Sequence, residues 1–253
     1  MSVLGILTCE ILELEFAYLL NSDKDIARIT VLENSRSVRM LEAIESTGSA
    51  NPNRISGLES FAPDPKNRLE VLVHVLELGL HNRKKLLQAG LVEAAGEMGP
   101  RVDAILLGYG LCGNALEDPE ALLADAGVPV FIPMDEDHPV DDCVGLVIGG
   151  RRSYYAEQCK VAGTFFMIPG WTRHWRRMFD KEFGNLSVDM ARRLFENYER
   201  SLLISTPVMS QKKMKENSSE FNTLFGLREE IRPGTLDILV DSWNSAKAFL
   251  DEK

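Results

Sequence analysis

The sequence predicts an α/β fold: an open, mainly parallel sheet with helices on both faces, in a Rossmann-like, doubly wound arrangement. Three observations carry this expectation. Short apolar runs of strand length alternate along the chain with segments of helical periodicity, the pattern of right-handed βαβ crossovers. The 253 residues, 45% of them apolar and 26% charged, suffice for a large core. No Gly/Ser-rich or Pro-rich linker divides the chain and no fixed-period repeat is evident. One domain over residues 1–253 is expected, with an irregular insertion at 47–66.

Each element follows from local pattern. Val3 to Thr8 is an apolar run too short for a helix, and Cys9 to Leu20 then carries apolar residues at helical spacing, with Glu10, Glu13 and Glu15 between them. Ala27 to Leu32 reads as a second strand and Arg36 to Ser46 as a helix. From Thr47 to Lys66, Pro52, Pro63 and Pro65 with several Ser, Asn and Gly residues read as an irregular connection. Leu69 to Leu78 is a Val/Leu-rich strand, ending in Gly79-Leu-His81-Asn82 before a helical pattern from Arg83 to Met98, closed by Gly99 and Pro100. Val102 to Leu107 is a buried type of strand, Tyr109 to Asn114 a turn, Pro119 to Ala126 a helix closed by Gly127, and Val128 to Ile132 the next strand. After the acidic loop from Pro133 to Asp142, Cys143 to Cys159 reads as a helix weakened by Gly145, Gly149 and Gly150. Gly163 to Ile168 is a strand ending at Pro169-Gly-Trp171. The remainder reads as helix (Val188 to Arg200), strand (Ser201 to Ser205), helix (Glu216 to Phe225), strand (Thr235 to Leu239) and helix (Asp241 to Leu250).

Composition excludes several function classes. Against 28 Lys and Arg stand 38 Asp and Glu, a formal charge of -10. That balance opposes the phosphate neutralisation on which nucleic-acid affinity depends. The longest apolar runs fall far short of the roughly 20 residues that span a bilayer. The N-terminal residues lack the basic region of a signal peptide, and four cysteines are too few for a disulfide scaffold. A cytoplasmic protein is expected, without nucleic acid or membrane as partner and with a small molecule as substrate.

Ligands of open parallel sheets bind at the carboxyl ends of the strands. Cys9 follows the first strand, Cys112 lies in the turn after Val102 to Leu107, and Cys143 lies beyond Val128 to Ile132, so all three belong on one edge of the sheet. Cys159, at the far end of a helix, reads as a packing thiol. Cys9 and Cys143 also open helices, where the helix dipole favours a thiolate, and Asp141 or Asp142 is positioned to cap the second. Three thiolates are ligands for Zn²⁺ with an open or His/Asp fourth position, or for an iron–sulfur cluster with one other ligand. No CxxC or HExxH signature is present, so such a site would be assembled from distant parts of the chain. His81 and His138 are the candidate fourth ligands.

Around Cys112, the glycines of Tyr109-Gly110-Leu111-Cys112-Gly113-Asn114 allow close backbone approach to a ligand. Tyr109, Gly110, Gly113 and Asn114 are therefore candidate cofactor contacts, although the turn is no phosphate loop. Trp171 and the basic residues after it are suited to an anionic or planar ligand. The stretch from Glu136 to Asp141 misses the Asp-x-His-x-x-Gly pattern of the usual corrinoid module at its first and last positions, which disfavours corrinoid binding through His138.

Four stretches together resemble the domain of unknown function 1638 family, proteins of methanogenic archaea and anaerobic bacteria. They are Thr8-Cys9-Glu10, Gly79-Leu-His81-Asn82, Gly108 to Asn114, and Asp142-Cys143 followed by Pro169-Gly-Trp171. The resemblance implies a shared site at Cys9, Cys112, Cys143 and His81. It also implies an association with corrinoid-dependent methylamine metabolism, hence a corrinoid protein or methyltransferase as partner. In the family pattern Pro-Arg-x-His precedes the Asp-Cys pair; here Asp141 stands where that histidine is usual.

Three functional readings result. One is a metal-dependent, zinc-thiolate enzyme, in which Glu10, Asp141 and Asp142 are candidate proton carriers and methyl transfer the reaction class. Another is an accessory module that holds a corrinoid or an iron–sulfur cluster for a methyltransferase. A third is a metal-free thiol enzyme using Cys112 or Cys143 as its nucleophile.

Overall fold

Six parallel strands form the main sheet of the computed structural model, which describes residues 1–46, 51–113, 115–184 and 188–252, without the side chains of 81, 183 and 188. The strands are β1 (Ser2–Cys9), β2 (Arg28–Leu32), β3 (Asn53–Ile55), β4 (Leu69–Leu76), β5 (Ala104–Gly108) and β6 (Val130–Phe131), in the order β3-β2-β4-β1-β5-β6. β1 is central: all eight of its residues pair with Leu69–Leu76, and Leu4–Thr8 pair with Ala104–Gly108 on the other side. A strand covered on both faces must be apolar throughout rather than alternating, and Val3, Leu4, Ile6 and Leu7 are at most 2% exposed. Burying each such side chain contributes about 1.5–3 kcal/mol.

The chain leaves β1 toward β2 and leaves β5 toward β6, in opposite directions, so these neighbours flank the topological switch point. Right-handed crossovers in opposite directions put their helices on opposite faces. Helices α1 (Glu13–Ser22) and α2 (Val38–Ser46) serve the first half, and α3 (Lys84–Met98) and the short α4 (Pro119–Leu122) the second. Gly5 leaves room for α3, since a Cβ there would meet the Met98 side chain. A hairpin, β7 (Met134–Asp135) and β8 (His138–Pro139), leads into α5 (Cys143–Ile148) and α6 (Gly150–Lys160).

A second, three-stranded parallel sheet follows, in the order β11-β10-β9, from β9 (Thr164–Met167), β10 (Arg200–Ser205) and β11 (Arg228–Pro233). Helices α7 (Pro169–Phe183), α8 (Val188–Leu194) and α9 (Gln211–Phe225) connect these strands, and Met167, Trp175, Phe195, Leu203, Met214, Phe221 and Leu227 form a separate core there. The last helix, α10 (Asp237–Asp251), returns to the main sheet. Trp243 is 2% exposed within the main core, and its indole N–H donates to Asp23 Oδ2 at 2.7 Å.

The α/β, parallel-sheet expectation is met, with local corrections. Residues 235–239 are not a strand: they lead into α10, and the missing strand is β11, whose Arg-Glu-Glu-Ile-Arg-Pro sequence disguises an edge position. The helix expected from Cys143 to Cys159 is broken where Gly149 and Gly150 take φ of 89° and 83°. The expected helix Pro119 to Ala126 is one α turn followed by a 3-10 turn. Within 47–66, β3 extends the sheet edge, while 47–50 lie outside the described residues. No helix among the described residues is long and apolar enough to cross a membrane.

Candidate functional site

A pocket of about 210 Å³ opens at the carboxyl ends of β1 and β5, and Cys9, Cys112 and Cys143 all line it. Cys9 ends β1. Cys112 lies in the turn after β5, and its φ of 50° is a left-handed conformation that non-glycine residues seldom adopt. That turn is docked on the loop carrying Cys143: Leu111 N–H donates to the Val140 carbonyl at 2.9 Å and Cys112 N–H to the Asp141 carbonyl at 2.7 Å. The approach requires Gly110, where a Cβ would press against Val140 and Asp142. Cys143 is the first residue of α5, and Asp142 is the cap, its carboxylate accepting from Gly145 N–H at 2.7 Å.

The walls are apolar, from Ile11, Leu12, Leu78, Val144, Trp171 and Met178, and no described lining residue carries a cationic side chain. Burial accordingly outweighs helix position. It pushes the Cys9 and Cys112 thiols up to about 12, and Cys143 well above the ordinary thiol range, with neighbouring Glu10, Asp142 and the other cysteines acting in the same direction. The expected thiolates are therefore neutral thiols in the protein alone. The Tyr109 hydroxyl is buried facing Cys9, with no hydrogen bond of normal geometry.

Other expected site residues are distributed differently. Gly110, Gly113, Asp142 and Trp171 line the pocket; Asp141 lines an adjoining cavity with Arg151, Tyr154 and Tyr155. His138 is outside the lining, in the β7–β8 hairpin, with Nδ1 3.0 Å from the Asp135 carbonyl. His81 lies in a 3-10 turn after β4, and Asn114 and the His81 side chain fall outside the described residues. Cys159 is exposed rather than packed.

Sequence reasoning passed over a buried polar group behind the pocket. Glu10 and Glu13, from the segment after β1, meet His174 from α7, with ligand atoms all within 4.8 Å of one another. The thiols are not in such a group among the described residues. Arg177 grips Glu10 in two hydrogen bonds, 2.6 and 3.2 Å, and His174 Nε2 lies 2.8 Å from Glu13 Oε1. Spacing gives the signal for this group. Positions 171, 174 and 178 lie on one helical face, and a Cβ on Gly170 would collide with the Ile11 carbonyl, so α7 starts hard against the loop after Cys9. Pro169 at the first helical position marks that start.

Residues 75–243 match the model of a family described as "Protein of unknown function (DUF1638)". No curated protein and no solved structure matches the chain.

Proposed function

The chain belongs to the DUF1638 family, and from that premise and the thiol pocket we propose a cytoplasmic, metal-dependent enzyme in which Cys9, Cys112 and Cys143 hold a zinc-like ion. The substrate is a small molecule, and methyl transfer in corrinoid-linked one-carbon metabolism is the reaction class, with a corrinoid protein or methyltransferase as partner. One observation carries the reading: three thiols from three separate loops line one apolar pocket at the switch point of the sheet.

The donor set fits a soft or borderline cation. Sulfur ligands suit zinc, and neutral thiols need a positive charge before they ionise; no described cation in the pocket supplies it. The same fact disfavours the metal-free thiol enzyme, which requires a thiolate from the protein alone. Bound there, zinc would supply Lewis-acid activation of a substrate thiol or carbonyl. Trp171 and Met178 would exclude water, and the Tyr109 hydroxyl would donate to the bound substrate. At about 210 Å³ the pocket lies below the roughly 300–1,000 Å³ typical of larger ligand sites, so a corrinoid ring would sit outside it.

Metal analysis with an ultraviolet–visible spectrum, on protein purified anaerobically, tests the reading. One equivalent of zinc in a colourless protein, lost in Cys112→Ser, is expected. Strong visible absorption would transfer support to a corrinoid or iron–sulfur module, and absence of stoichiometric metal would sink the proposal.

A further inference from the structure

Glutamates are seldom fully buried unless paired, yet Glu10, Glu13 and Glu15 are at most 1% exposed within six residues of chain. The groups meeting them are few. Arg177, with half its side chain in solvent, satisfies Glu10, and His174, 5% exposed, meets one oxygen of Glu13. Glu13 Oε2 and both oxygens of Glu15 have no hydrogen-bond partner. A buried carboxyl oxygen left unpaired costs about 1–3 kcal/mol or more, so the protein's own groups leave buried lone pairs unanswered.

We propose that Glu10, Glu13 and His174 form a second cation site, separate from the thiol pocket, that takes a divalent ion of the Mn²⁺ or Fe²⁺ type. Two carboxylates and an imidazole, with ligand atoms inside 4.8 Å, suit a hard to borderline ion and leave coordination positions for water or a substrate oxygen. The unpaired Glu13 Oε2 supplies a lone pair that no protein donor occupies. Glu10 can share its carboxylate between Arg177 and the ion, since each oxygen has two lone pairs. The α7 helix joins the two sites, carrying Trp171 and Met178 in the wall of one and His174 in the other.

This site stands independently of the thiol proposal, and Mn²⁺ is a probe that discriminates, because sulfur ligands select softer ions. Chelator-treated protein is titrated with Mn²⁺, following the free-ion paramagnetic resonance signal and the thermal midpoint. Wild type and Cys112→Ser are each expected to bind one equivalent and to melt higher. Glu13→Gln and His174→Gln, checked for folding by circular dichroism, are expected to bind roughly tenfold or more weakly. Should His174→Gln fail to fold, Glu13→Gln decides, because the amide keeps the shape and removes the buried charge. No Mn²⁺ binding by folded wild type, undiminished binding by Glu13→Gln, or loss of binding in Cys112→Ser would each overturn the assignment.

Discussion

Glu15→Gln should change how stability depends on pH. Glu15 is fully buried in the first turn of α1, and desolvation, reinforced by Glu13, raises its carboxyl from the ordinary 4.5 to about 8. Below the lower value both folded and unfolded chains carry the proton. Between the two values the unfolded chain ionises while the folded one keeps its proton, so stability falls as pH rises, and above about 8 the contribution is gone. Each pH unit in that window is worth about 1.4 kcal/mol, so the whole window amounts to ~5 kcal/mol. Urea unfolding of wild type and Glu15→Gln, with chelator present so that no ion sits nearby, isolates the term. From pH ~5 to ~8 the wild type should lose about 4 kcal/mol relative to the variant. Parallel stability profiles would refute the reasoning.

Three further outcomes are expected. His74, pushed down to about 4 by burial and then by the Arg36 charge, is neutral in the fold; its contribution is present above 6.5 and lost as pH falls through about 4, so His74→Gln should flatten the acid limb of the unfolding free energy, measured by urea titration, by roughly 3 kcal/mol. An unchanged acid limb would count against a buried neutral imidazole. In chelator-treated protein at mildly alkaline pH, a thiol reagent should find one fast cysteine, the exposed Cys159, while buried Cys9 and half-buried Cys112 and Cys143 react far more slowly because their thiols keep their protons; more than one fast thiol contradicts the raised pocket thiols. Gly170→Ala should drive α7 away from the Ile11 carbonyl, costing ~1–3 kcal/mol as overpacking does and exposing a second thiol to the reagent; an unaltered melting temperature and thiol count would show that the contact is not tight.

The alternation of apolar runs and helical segments was enough to place Cys9, Cys112 and Cys143 on one sheet edge, because strand ends and the parallel rule depend on local pattern. What escaped depends on partners far away in the chain. Glu13 looked like the polar side of an amphipathic helix, and only the arrival of α7 across it, bringing His174, makes it part of a buried group. Trp-Thr-Arg-His-Trp-Arg-Arg reads as an aromatic and basic cluster because its apolar face is completed only by Met178 and Phe179, which follow it in α7. β11 carries four charges in six residues, and an edge strand can be that polar because one side stays in solvent. The thiolate expectation failed for a different reason. Helix position is a surface-scale effect, and the desolvation that reverses it cannot be seen until the walls are known.

Helix α10 gives the fold a consequence in time. It is made after every strand of both sheets, yet Leu239, Trp243, Ala246 and Leu250 complete the core against β1 and β5, the strands whose ends bear Cys9 and the Cys112 turn. A ribosome-bound chain that has already paired its central strands still lacks a layer, and its apolar surface stays wet until the turns of this helix emerge. The birth of the pocket thus waits on a helix made well after all three of its cysteines.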